Sequence, residues 1–227
     1  IRLAPGVLSP TLARFVKDPP MLDATDQRGG SVLDVLRIRG LWLILPLLFV
    51  NYAPAAGLRG LWVGPYFGQV YGAEVIGQAT LFMAFAMVIG AFAYGPMDRL
   101  FGTRKGVVLI GNLLSGLALM VLWWMPAGGY WSSVLLMSLV GMLGLSFPLI
   151  MAHGRSFIPP HLLGRGVTML NMFSIGGVGI LQVVSKQVYA GAPTEPASAA
   201  FGALFAFFGV LVLAGCALYA LSTDRTD

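Results

Sequence analysis

Charge is what this chain has least of. Charged residues make up 10% of its 227 positions, against about 25% in ordinary soluble domains. Only nine are carboxylates, and none lies in the middle of a long apolar run. Glu74 and Glu195 flank the ends of such runs, and so does Asp98. A single cysteine, Cys216, excludes an intrachain disulfide, and its apolar neighbours read as packing for a buried thiol. The two histidines, His153 and His161, read as exposed loop residues, and no metal-ligand spacing occurs. A membrane-embedded enzyme would need His, Asp or Glu clustered at one depth, which is not present, so no cofactor or metal is expected. The alternating pattern of a membrane β-barrel is also lacking.

What is abundant is apolar sequence: 57% hydrophobic residues and a mean hydropathy of +0.83. About 20 apolar residues suffice to cross a bilayer as a helix. The runs at about 40–66, 75–97, 106–125, 131–153, 164–189 and 199–221 read as six spans. The long uncharged block from Gly106 to Gly154 must be divided at Pro126-Ala-Gly-Gly129, a turn signal flanked by Trp123, Trp124, Tyr130 and Trp131. Helices are required because hydrocarbon offers the backbone no other partners. The expected fold is therefore all-α, a polytopic membrane protein.

Before the first span, residues 1–39 form a polar lead-in. Pro5, Pro10, Pro19 and Pro20 prevent a continuous helix, and Asp18, Asp23 and Asp26 form an acidic patch. Ser31 with Asp34 three residues later predicts a capped helix start, leading to Arg37 and Arg39 at the membrane surface. The chain starts Ile1-Arg2 with no signal-like run, which reads as part of something longer. Residues 224–227 form a short tail.

The basic residues are sorted by side. Arg37, Arg39, Arg99, Arg104, Lys105, Arg155, Arg165 and Arg225 fall at one end of the spans, with only Lys186 in the opposite connections and Arg59 near the far end of the first span. The positive-inside rule places the first group, and both chain ends, in the cytoplasm. The net charge of +5 is then mainly a topology signal and not a nucleic-acid footprint.

Between the second and third spans stands Tyr94–Lys105, YGPMDRLFGTRK. Read as a charged hairpin tip, it resembles the cytoplasmic loop motif of the major facilitator superfamily. Leu100 and Phe101 stand where that pattern has one residue. Pro159–Arg165 with Gly166 and Asn171 is similar to the connection before the penultimate helix, and Gly60–Tyr66 resembles the first helix of a half in bacterial members. The resemblance covers nearly the whole chain. It implies one half of a major-facilitator-like bundle, the carboxy-terminal six helices, preceded by a central linker and by an amino-terminal six-helix half. It further implies a transporter of the bacterial cytoplasmic membrane. Such a protein moves a small-molecule solute by alternating access, as a secondary active carrier or a facilitator. Asp98, Arg99, Gly102, Arg104 and Lys105 would be the conformational loop, with Asp98 paired to Arg104 or Lys105 and docking on the other half. The alternative reading is a self-contained six-helix channel or assembly subunit acting as an oligomer.

On a regular helical wheel Tyr52, Ala55, Arg59, Trp62 and Tyr66 share one arc of the first span, with Asn51 at its edge. Asn171, Ser174, Gln182 and Ser185 share an arc of the fifth, where interhelical hydrogen bonding is an equal alternative to lining a path. In the family the first helix of each half lines the pathway. Asn51, Tyr52, Arg59, Trp62, Tyr66, Asn171 and Gln182 are therefore the candidate pathway residues. Arg59 reads either as a snorkelling anchor or as a cavity-wall cation, in which case the solute carries negative charge. Small residues at close-packing spacing, Gly111/Ser115, Asn112/Gly116, Ser138/Gly141/Gly144 and Gly176/Gly177/Gly179, predict a tight bundle.

Overall fold

A computed structural model describes residues 31–193 and 195–225. All of them belong to one compact unit beginning at Ser31. The Pro- and Asp-rich lead-in falls outside the described residues. At its edge the Ser31–Asp34 capping box forms as expected. The Ser31 hydroxyl accepts from the Leu33 N–H and the Asp34 carboxylate accepts from the Ser31 N–H at 2.6 Å, starting helix Val32–Leu36. Trp42 Nε1 donates to the Leu36 carbonyl at 2.8 Å and ties this helix to the first span.

Six helical segments are long and apolar enough to cross a membrane: Arg39–Val70, Ala73–Phe101, Arg104–Trp124, Tyr130–Arg155, Pro160–Ala190 and Ala197–Tyr219. Among the described residues there is no strand. The sixth span packs against the third and the first, the first against the fifth, and the second against the fourth. Helices approach closely where side chains are smallest. A methyl group on Gly177 would collide with the Phe49 carbonyl of the first span, and one on Gly90 with the Met142 carbonyl of the fourth. Gly176 and Gly179, the other members of the fifth-span triplet, face open space.

Two spans are interrupted in their interior. The first comprises a 3₁₀ turn (Arg39–Leu43), an α-helix (Leu45–Gly57), a π-turn (Leu58–Trp62) and a second α-helix (Val63–Val70). Pro54 in the helix before the π-turn removes one backbone donor. The π-turn takes in one residue more than a regular turn, a displacement of about 100° around the axis. The fourth span is α-helical from Tyr130 to Leu143, 3₁₀ from Gly144 to Ser146, and α-helical again from Phe147 to Arg155. Pro148 has no N–H for the Gly144 carbonyl, which is why the ladder breaks there.

The charged hairpin tip is shorter than the sequence implies. Tyr94–Phe101 continues the second-span helix, and the connection proper is Gly102-Thr103. Gly102 ends the helix in the left-handed region, φ +64°, where a Cβ is disfavoured. Thr103 starts the next helix, its hydroxyl accepting from the Gly106 N–H at 2.9 Å.

Candidate functional site

Polar side chains meet inside the bundle at three levels. The middle level joins four spans. Asn51 Nδ2 donates to Asn112 Oδ1 at 2.6 Å and to Ser146 Oγ at 2.9 Å. Asn112 Nδ2 donates to the Val108 carbonyl and reaches Ser146 Oγ at 3.1 Å. Tyr94 from the second span places its hydroxyl over Gly111, beside Asn112. Ser146 takes part because the 3₁₀ break turns it inward, where it is fully buried. Asn51 Oδ1 is buried with no hydrogen-bond partner among the described residues. Beside this node the Tyr52 ring lies 5.1 Å from that of Phe147, and Phe147 lines a cleft of about 340 Å³ shared with Tyr94 and Pro148.

The level next to the Pro126 turn is aromatic. The Tyr66 hydroxyl donates to the Pro126 carbonyl at 2.8 Å and sits 2.8 Å from Ser133 Oγ, which also meets the Tyr71 hydroxyl. Trp62 Nε1 donates to Ser185 Oγ at 3.0 Å, and its ring packs on Tyr189 and Phe201. Tyr66 and Trp62 are thus interior struts that lock the first span to the fourth, fifth and sixth.

Arg59 is separated from them. It lies on the π-turn and is exposed, with no ion-pair or hydrogen-bond partner among the described residues. The single wheel arc through Tyr52, Arg59, Trp62 and Tyr66 is therefore split, because the π-turn breaks the regular 100° progression. Exposed or half-buried positions along the first span now run through Tyr52, Ala56, Arg59, Gly60, Gly64 and Pro65. On the fifth span Asn171 is exposed and Gln182 half-buried, while Ser174 and Ser185 point into the bundle.

The third level is the end that carries most of the basic residues. Asp98 pairs with Arg104 Nε at 3.3 Å, both side chains largely screened from solvent. Arg99 is exposed. Lys105 turns to the chain terminus, donating from Nζ to the carbonyls of Ala220 (2.7 Å) and Ser222 (2.6 Å). His153 corrects the reading of an exposed loop residue. It sits in the last turns of the fourth span, fully buried, 2.7 Å from the Tyr219 hydroxyl through Nδ1 and 2.9 Å from the Thr223 carbonyl through Nε2. The sequence hid this because Gly154 and the prolines that follow look like a loop, whereas the helix runs to Arg155. His161 is exposed. Among the described residues no group of His, Cys, Asp and Glu is placed to hold a metal.

Asn112 stood in the sequence only as part of a small-residue pair, and Ser146 was not distinguished at all. The available signal was Asn51 and Asn112, two amides near the middle of separate apolar runs, which need each other when buried.

No protein-family model and no curated protein matches the chain. Among solved structures it is similar to the inward-open conformation of the xylose transporter XylE from E. coli. The TM-score is 0.66 and the identity 15%, over 86% of this chain and 49% of that one. The chain spans about half the length of that transporter. It has the fold of one six-helix half of a major facilitator transporter.

Proposed function

We propose that the chain is the carboxy-terminal half of a membrane transporter that moves a small solute by alternating access, as a secondary active carrier or a facilitator. The observation that carries this reading is the six-span fold shared with half of a known transporter. Rocking of one such bundle against another exposes a central site to each side in turn. The amino-terminal half is the partner, the membrane is the bacterial cytoplasmic membrane, and both chain ends face the cytoplasm, the side to which the basic residues sort.

The pathway-facing surface is the strip of the first span carrying Tyr52 and Arg59, with Asn171 and Gln182 of the fifth span flanking it. Asn51, Trp62 and Tyr66 hold that strip in place from within. Arg59 gives an anionic group on the solute a cation to meet, because an exposed guanidinium with no acid beside it among the described residues offers forked donors to an oxyanion. The Asp98–Arg104 pair, with Arg99 and Lys105 beside it, docks against the other half when the cytoplasmic side closes.

Solute uptake by the full-length protein tests the reading. A hydrogen bond to a charged group is worth about 1.5–3 kcal/mol, so Arg59→Gln should raise the half-saturation concentration for an anion about tenfold or more. Arg59→Lys keeps the charge and should raise it less. Wild-type half-saturation in both variants would remove Arg59 from the site. Asp98→Asn leaving the inward and outward populations unchanged would remove the docking role.

A further inference from the structure

The residues that follow the sixth span, Ala220–Arg225, are bonded to two separate connections. Besides the two Lys105 Nζ bonds, the Asp224 carboxylate accepts from the Thr103 hydroxyl and from the Lys105 N–H at 3.0 Å, where the third span begins. Arg104 donates to the Arg225 carbonyl at 3.4 Å. Arg225 in turn donates to the Ser156 carbonyl at 3.3 Å and stacks its guanidinium 4.3 Å from the Phe157 ring centre. The tail thereby joins the second–third connection to the end of the fourth span.

His153 lies at the centre of this arrangement, and its partners define its proton. The Thr223 carbonyl can only accept, so Nε2 carries the hydrogen. The Tyr219 hydroxyl beside Nδ1 can donate or accept, but full burial disfavours a charged ring, so in this arrangement the ring is neutral and Nδ1 accepts from that hydroxyl. A second proton would place an N–H against an O–H in a fully buried site and force Tyr219 to turn its hydrogen away. Acting on the ring are Tyr219 of the sixth span, Arg104 and Lys105 of the third, Asp224 of the tail, and the Phe157 ring at 5.4 Å.

We infer that Ala220–Arg225 is a latch on this face of the bundle, closed while His153 is neutral and released when His153 is protonated. The inference rests on the bonds at this end alone and does not need the transport reading. The closed latch excludes the extra proton and the open one accepts it. Latch stability is therefore present above the ordinary histidine range, about pH 6.5, and is lost as pH falls through it. Asp224 does not supply this transition. Burial pushes its carboxyl up, but hydrogen bonds from Thr103 and the Lys105 N–H outweigh that and hold it below the usual carboxylate range, so it stays ionised throughout.

Ser222 provides the probe. It is 4% exposed and its hydroxyl has no partner among the described residues, so Ser222→Cys removes no bond seen there. The experiment is maleimide labelling of full-length, detergent-purified protein on a cysteine-free background that includes Cys216→Ala. Rates are divided by those of Gln187→Cys, an exposed control that cancels the reagent's own pH dependence. From about pH 8 down to about pH 6.5 the ratio should stay low, and below that it should rise by up to about tenfold per pH unit until the latch is mostly open. His153→Gln keeps a donor for Thr223 and cannot titrate, so its ratio should stay low and flat. A flat ratio in the parent, or an unchanged rise in His153→Gln, overturns the inference. Should His153→Gln fail to fold, Tyr219→Phe decides: it shifts the midpoint if His153 is the source and leaves it in place if not.

Discussion

The first and second spans are neighbours in sequence and both are strongly apolar, yet the bundle treats them oppositely. In the first, 67% of the most apolar window is buried by the protein itself, and in the second 17%, although the second is the more apolar of the two. Hydropathy is therefore no guide to which helix lies inside. In hydrocarbon an apolar side chain gains little by exchanging lipid for protein, so contact surfaces are chosen by fit and by hydrogen bonding. The first span has both: the Phe49 backbone seated on Gly177, Asn51 tied to Asn112 and Ser146, and Trp62 and Tyr66 bonded through their polar tips. The second presents Phe82, Phe85, Ile89 and Phe92 outward and touches the rest mainly through Met83, Gly90 and Tyr94.

The largest effect expected from this contrast is at the glycines. Gly177→Ala drives a methyl into the Phe49 carbonyl, and overpacking of that kind costs about 1–3 kcal/mol. Gly77→Ala on the second span meets nothing within 4 Å and should be neutral or stabilising by about 0.4–1 kcal/mol. Thermal unfolding of the two variants in detergent compares them directly. Equal loss in both would mean that the first-span contact is not tighter than the open face.

Asn51→Ala should come next. Interhelical hydrogen bonds in membranes average about 0.6 kcal/mol with a maximum of about 1.7, and Asn51 makes two. The same melting assay should show a loss in that range, with Asn51→Ala and Asn112→Ala less than additive because they share a bond. Full additivity would separate the two amides.

Smallest in stability terms are Phe85→Ala and Phe92→Ala on the exposed side of the second span. Each should leave the melting of this half within about 0.5 kcal/mol, as surface changes do. A loss as large as that of Gly177→Ala would show that this face is packed after all.

Much of the architecture was legible in the residues. Apolar runs separated by turn residues specify six helices because each run must satisfy its own backbone in hydrocarbon, and the Ser31–Asp34 cap follows from local chemistry. The candidate site was legible only in part. Asn51 and Arg59 were recognisable as polar groups in an apolar segment, but the face each takes depends on a π-turn that a uniform wheel does not contain. His153 looked like a loop residue until the tail folded back over it. The sequence by itself determined the number and kind of elements, since those depend on backbone satisfaction within a few residues. Only the tertiary structure decided which polar groups meet, because Asn51 with Asn112, Trp62 with Ser185 and His153 with Tyr219 are each separated by 61 or more positions. Their pairing depends on which helix faces touch, and in an apolar solvent those faces are selected by fit and not by hydrophobicity.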